Sequence, residues 1–533
     1  MAKLRSKINY ATQYSSNLQG LMIGIDQKVF VKNETTAGTL AIPALGTSGK
    51  STSAASPSTD ISASSNVNFK ISVDGGAVIA VQTVNTGLTT GALIAAHLET
   101  KINAALSAAG QDGRVYVDFT GGLYIITSQK IGTSTSVVIT AGESLDLAVT
   151  LKLGVANSGV ETVGTNGSDR LDCLSAKYSY KQEKVVSKSR TGRTAAGTLK
   201  RKKMLDGTIE SYINIDTSLS SPAVDTAVDL MIRSILPNKT TDGSTYIKYD
   251  LGQPQTVYYS MLSATNIENG ALNGCYNKTM EIDLPGDAEG KMRFEFKGRD
   301  KKGATIAKTN GVVSSSATIT TVSGEADSVE AGSLVMCVDT DGRTVLYGFD
   351  GSLSVSSINS GANQIVLSSP VTLSTGSFIV PFTPDAFGGV GGTNAPMVEL
   401  QGSVSIGGVS VGLARSINVK IDTKVSDFDN IYGTDSNQGY VVAGQTDVKV
   451  KLEIIATPAE LRRINKIKND TNYAVLVTLG SASGRRLEIS LPNVVFSVPS
   501  VDVPESGEVV IPFEGFAIDT AVGALDCISV SYK

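Results

Sequence analysis

Side chains able to do chemistry are few in this sequence and stand far apart. His97 is the only histidine, which removes a His-based nucleophilic triad and any multi-histidine metal site. The four cysteines, Cys173, Cys275, Cys337 and Cys527, include no CxxC pair. Their spacing supports neither a zinc site nor a disulfide framework, and they read as small buried hydrophobes. Gly388-Gly389-Val390-Gly391-Gly392 lacks the Lys-Ser/Thr of a phosphate-binding loop and reads as a hinge. Asp341-x-Arg343 and the scattered carboxylates show no acid–base pairing by spacing. The expectation is no catalytic residue, no metal and no cofactor; a hydrolase working with carboxylates alone is the enzyme class the sequence leaves open.

The densest functional cluster is cationic: Lys177, Lys181, Lys184, Lys188, Arg190, Arg193, Lys200, Arg201, Lys202 and Lys203. Such a run neutralises phosphates when it faces nucleic acid. Here Tyr178 and Tyr180 are its aromatic residues, without the interleaved series on which bases stack. A solvated or partner-facing hairpin is the better reading.

The elements that position these residues follow from composition and pattern. At 533 residues the chain is too long for one core, and three or four domains are expected. With 54 Gly, no Trp, 18% charged residues and many Ser, Thr and Val, it favours strands and turns, so the expected class is mainly β (α+β). A net charge of −4 gives no global reason for tight nucleic-acid binding. No apolar run approaches membrane-spanning length, and Met1 to Arg5 lacks the apolar core of a signal peptide, so no membrane insertion and assembly inside a cell are expected.

Along the chain, Leu18 to Val31 reads as two short strands and Gly38 to Asp60 as a linker of small residues. A compact α+β module follows. Its helix from Thr90 to Ala109 carries Leu93, Ile94, Leu98, Ile102 and Leu106 at helical spacing, and two strands meet at Gly121-Gly122. Lys301 to Ser316 reads as a second linker and Val329 to Pro384 as a small all-β unit. The expected division is a discontinuous first domain over 1–37 and 166–308, an inserted module over 38–165, a small β linker domain over 309–392, and a last domain over 393–533.

The first and last domains share landmarks in the same order. The strand Gly207 to Ile215 has a counterpart in Gly444 to Glu453. Each precedes a helix start, Ser221-Pro222-Ala223 or Thr457-Pro458-Ala459. Ser or Thr caps the free N–H groups, Pro fits the first helical position, and Thr457 with Glu460 spells a full capping box. Ile282-Asp283-Leu284-Pro285 matches Val501-Asp502-Val503-Pro504, and Phe294-Glu295 matches Phe513-Glu514. The prolines and the phenylalanines share one offset of 219 positions (504 minus 285, 513 minus 294).

This order of strand pair, lone capped helix and a closing segment Pro504 to Ala517 resembles the tail tube proteins of long-tailed (siphophage-like) bacteriophages over roughly the last 140 residues, and more loosely over the first copy. Phe69 to Gly154 is similar to modules of phage tail sheath and flagellin-like proteins. The resemblance implies two tandem β-barrel or sandwich domains, each with one flanking helix. It implies a structural virion protein whose homotrimeric, pseudo-hexameric rings stack into the tube through which DNA is ejected. The implied partners are further copies of the chain, a tape-measure protein, a tail terminator, tail-tip or baseplate proteins, and viral DNA in transit without sequence-specific binding. The implied location is the virion tail, assembled in the host bacterial cytoplasm. A tail hub or tail-end adaptor ring of the same fold remains an alternative. A surface adhesin or carbohydrate-binding β protein is disfavoured by the lack of Trp. A lumen that holds DNA weakly is expected to be dominated by carboxylates.

Opposite the basic stretch, the corresponding part of the last domain, Lys420 to Asn437, holds Asp422, Asp427, Asp429 and Asp435. Complementary charge between subunits or stacked rings is the expectation, with Lys188, Arg190, Arg193, Lys200, Arg201, Lys202 and Lys203 meeting Asp427, Asp429 and Asp435.

Overall fold

The computed structural model of the protein describes residues 4–5, 11, 28–34, 40–41, 46–111, 115–130, 132, 134–165, 169–171, 173–188, 195–213, 224–242, 245–252, 257–264, 269–286, 288–348, 351–382, 402–411, 414–427, 440–442, 445–467, 472–480, 486–500 and 508–533, with backbone alone at 4–5, 28, 170, 182–188, 195–203, 264, 269, 426–427, 440–442 and 459. The chain is mainly β, in several sheets, and no barrel closes among the described residues. Alternation explains the strands. Lys291–Gly298 reads Lys-Met-Arg-Phe-Glu-Phe-Lys-Gly, with Met292, Phe294 and Phe296 buried and the charged residues on the other face.

Four strands make the frame of the first half. Ser175–Lys188 pairs with Ala195–Tyr212, which pairs with Lys291–Gly298, which pairs with Asn269–Pro285, all antiparallel. The second half has the same plan: Ala414–Asp422, Asp447–Ile455, Val510–Ala517, Leu487–Phe496. The registers coincide as well. Ala176 faces Ile209 and Ile209 faces Phe294; Ile417 faces Leu452 and Leu452 faces Phe513. Outside the fourth strand, Tyr259–Ala264 and Lys28–Asn33 follow in the first half, as Tyr473–Leu479 and Ser403–Ile406 do in the second.

One row on the core face shows how the two halves fill equivalent space. Across the first set it runs Tyr178, Gly207, Phe296, Asn277; across the second, Val419, Val450, Gly515, Phe496. In the first, the Phe296 ring covers Gly207; in the second, Phe496 packs over Gly515. The bulky side chain has moved one strand over while its row has stayed fixed. The exchange frees Asn277 for another task. Its side chain is fully buried, accepts from Tyr259 Oη at 2.7 Å, and donates to Ser234 Oγ at 2.7 Å and the Met231 carbonyl at 3.1 Å, so it ties helix Thr226–Arg233 to the sheet.

The halves are sewn together twice. Thr279 to Pro285 pairs with Ser416 to Asp422, and Ile247–Asp250 pairs with Ser529–Tyr532. In the first seam Met280, Ile282 and Leu284 lie opposite Ile421, Val419 and Ile417, all buried. Each such side chain contributes about 1.5–3 kcal/mol on full burial. Gly286 N–H to the Arg415 carbonyl (2.8 Å) and Thr423 N–H to the Lys278 carbonyl (3.1 Å) close its two ends. One hydrophobic cluster runs from Val29 to Tyr532 through both halves.

Helix Pro458–Ile467 follows Asp447–Ile455. Thr457 Oγ1 accepts from the Glu460 N–H at 3.4 Å, which is one half of the expected capping box. The Glu460 carboxylate is bonded to Arg463 instead, because both groups are buried and a cation is a better partner there than the cap N–H.

In the inserted region, helix Gly91–Ala108 is capped by Thr90, and Ile94, Leu98, Ile102 and Leu106 are buried. Leu93 departs from the expected apolar face and is 49% exposed, since it stands off the stripe its neighbours form. Gly121 (φ 65°) and Gly122 (φ 78°) make the tight hairpin turn between Val115–Thr120 and Leu123–Ser128, a backbone that needs positive φ at both positions. The linker reading of Gly38 to Asp60 is corrected: Lys50–Thr52 is a strand held between Leu123–Ser128 and Val160–Thr162, where small residues such as Ser51 and Ser53 fit a buried site. The linker reading of Lys301 to Ser316 fails in the same way. Asp300–Ala304 pairs with Asn269 to Asn273, and Val313–Thr320 pairs with Gln364–Leu373. Polar composition hid these three strands, because they alternate little and gain their order from their partners.

Candidate assembly surfaces

The eight framing strands form one continuous run, because the fourth strand of the first set pairs with the first strand of the second. Opposite the core lies a single polar face shared by both halves. One row of it reads Glu210, Arg293, Glu281, Lys420, with signs alternating straight across the seam. Asn418 Nδ2 donates to Glu281 Oε1 at 2.8 Å, and Lys451 stands between Glu453 (3.5 Å) and Glu514 (3.6 Å). Lys449 lies opposite Lys420 and over the Phe516 ring, 5.5 Å from its centroid. The face therefore interleaves cations and carboxylates.

Two strands end the run. Among the described residues, Ser175–Lys188 has Ala195–Tyr212 as its ladder partner. At the far end, Leu487–Phe496 continues through the exposed residues Ser497, Val498 and Ser500.

The basic and acidic stretches occupy corresponding places. Tyr180 pairs with Leu205 as Ile421 pairs with Val448, which makes Lys181 the counterpart of Asp422. Lys188 ends the strand Ser175–Lys188, and Lys200, Arg201, Lys202 and Lys203 lie within Ala195–Tyr212, so the two strands run on past the frame as a long hairpin. In the second half, Val425–Asp427 pairs with Tyr440–Val442 beyond the frame, with Asp427 opposite Tyr440. Arg190, Arg193, Asp429 and Asp435 lie outside the described residues, as do Phe387 to Gly392 and Val501 to Pro504.

The base of the acidic hairpin is organised by Lys424, in the left-handed region at φ 49°, whose Nζ lies 2.9 Å from both Asp422 and Asp447. Burial pushes the Asp422 carboxyl up, but hydrogen bonds and charge from Lys424 outweigh it and leave it below the usual carboxylate range. Sequence reasoning missed Lys424, since nothing in its spacing marks it.

His97 accepts from the Val84 N–H at 3.3 Å through Nε2, and burial together with Lys101 lowers its pKa. As the sole histidine it is a clean probe. Its proton NMR titration midpoint is expected below the ordinary value of 6.5. A folded-state value below the unfolded one favours the fold above the unfolded pKa, and that contribution fades as pH falls. A midpoint above 6.5 would overturn the assignment.

Cys275, Cys337 and Cys527 are buried thiols, and Cys173 is half-buried. Burial, then Asp519 and Asp526, pushes the Cys527 thiol up to about 12. Cys527 lines a cavity of about 210 Å³ between the halves, with Ser234, Leu251, Tyr276, Thr423 and Ala517. Among the described residues no helix is long and apolar enough to cross a membrane. No family model matches the chain, and no curated protein matches it.

Proposed function

We propose that this chain is a structural virion protein, the tail tube subunit of a long-tailed bacteriophage, with three chains closing a ring of six related units. Rings stack into the hollow tube through which DNA passes, and in this reading the chain is not an enzyme. The observation that carries this is the tandem frame: two four-strand sets with common registers, joined end to start. A head-to-tail contact already made once inside the chain gives a closed ring when it repeats between chains with a closing rotation. Six sets per ring require three chains.

The passage of DNA in this reading is passive. A wall on which cations and carboxylates neutralise one another in rows has little net field, so a polyanion finds neither a trap nor a barrier. Stacking in turn uses the hairpins of opposite sign. Changing Arg201, Lys202 and Lys203 together to Glu is expected to stop tube growth and leave the circular dichroism of the chain unchanged. Normal tubes from that variant would remove the charge argument. Mass photometry at low protein concentration tests the ring itself: species at three times the 55.4 kDa chain support it, and a monomer at all concentrations contradicts it.

A further inference from the structure

We infer that Asn310 is a site of spontaneous covalent modification, where the folded chain loses ammonia and gains a carboxylate. The inference is independent of the ring reading above.

The chemistry is easiest where glycine follows asparagine, because glycine has no side chain to hinder the turn of its own nitrogen toward the preceding residue. The Gly311 nitrogen attacks Cγ of Asn310. The Cγ–Nδ2 bond breaks, the proton of the Gly311 nitrogen departs with the amide as ammonia, and a five-membered succinimide closes. Water then opens the ring at either carbonyl and leaves aspartate or isoaspartate. Water is the one co-reactant the balance needs.

Asn-Gly pairs stand at Asn166, Asn269, Asn273 and Asn310. Asn166 lies outside the described residues. Two of the other three are held by the sheet. Gly270 sits between two ladder partners, Ser263 on one side and Gly303 on the other. Gly274 donates its N–H to Glu34 Oε1 at 2.7 Å in a buried contact, and the Asn273 carbonyl accepts from the Arg299 N–H at 2.9 Å. In neither pair can the glycine nitrogen reach the asparagine side chain without opening of the sheet.

Asn310 and Gly311 lie instead in the turn between Ala307–Lys308 and Val313–Thr320. The Asn310 N–H donates to the Thr320 carbonyl at 2.9 Å, which anchors the residue without engaging the reacting atoms. Among the described residues, neither the Asn310 side chain nor the Gly311 N–H has a hydrogen-bond partner. No atom beyond its chain neighbours stands within 4 Å of where a Cβ on Gly311 would lie, so the backbone has room to turn. Asn310 is exposed and Val312 is 76% exposed, so water reaches the ring. Opening to isoaspartate adds one carbon to the main chain of this turn, next to the bridge between Thr309 and Thr321.

The test is peptide mapping by mass spectrometry of the folded full chain after incubation in mildly alkaline buffer, with a parallel incubation in urea. Trypsin releases residues 309–343 as one peptide in which Asn310 is the sole asparagine, so its change from amide to acid is read directly. In the folded chain Asn310 is expected to convert at least about tenfold faster than Asn269 or Asn273, because those two react only when the sheet opens. In urea the three should convert at similar rates, and Asn310→Gln should remove the fast conversion from the folded chain. Equal rates at the three sites in the folded chain would overturn the inference. So would the same preference for Asn310 in urea, which would trace it to neighbouring sequence and not to the fold.

Discussion

Phe296→Gly is expected to lower stability by about 3–5 kcal/mol and Gly207→Val by about 1–3 kcal/mol, yet the double variant should lose less than their sum by about 1–3 kcal/mol. The reason is the row the halves fill in two ways. A Cβ placed on Gly207 falls 2.3 Å from the Phe296 ring and 2.6 Å from the Lys177 carbonyl oxygen, so a side chain there must displace the ring and shift the strand slightly. Removing the ring alone leaves a void beside Leu205, Ile209 and Phe294. Removing it while adding Val reproduces the pair Val450 and Gly515, which the second half carries at the same register. Recovery should be partial, because Asn277 stands where the second half has Phe496. Urea unfolding of all four proteins measures the coupling. Strict additivity would mean that the two rows are not equivalent environments.

Arg463→Ala is expected to cost about 3–5 kcal/mol by the same measurement. Arg463 and Glu460 are 7% and 2% exposed, and Arg463 also donates to the Val409 carbonyl at 3.2 Å. Truncation leaves the buried Glu460 carboxylate unpaired and removes a donor from the Val409 carbonyl. Adding Glu460→Gln should return part of the loss, since a neutral amide is less costly to bury than an unpaired charge. A loss under about 1 kcal/mol would show that solvent reaches this helix and that the pair is an ordinary surface contact.

Much of the frame was legible from local chemistry. Alternation marks Lys291–Gly298, and in the inserted region the Gly121-Gly122 turn marks the hairpin of Val115–Thr120 and Leu123–Ser128, and Thr90 a helix start. The offset linking Phe294 with Phe513 survives as a shared ladder position, because a strand's register conserves where a side chain must point. The seam was not legible. Alternation assigns a residue to a face and leaves the neighbour undetermined, so nothing in Thr279 to Pro285 names Ser416 to Asp422 as its mate. Lys50–Thr52 and Asp300–Ala304 were hidden because tertiary partners, and not their own pattern, make them strands. The buried Glu460–Arg463 pair was half legible: the spacing suggested a cap, and burial redirected the carboxylate.

The tandem frame gives the account its central claim, that this chain closes rings with copies of itself and that the rings stack. Negative-stain electron microscopy of the purified full chain, carried through a range of protein concentrations, tests that claim most directly. Long hollow tubes with a regular axial repeat and three chains in each ring are the expected result. Isolated trimeric rings at every concentration would point to a hub or adaptor in place of a tube, and particles of a single chain throughout would contradict the claim altogether.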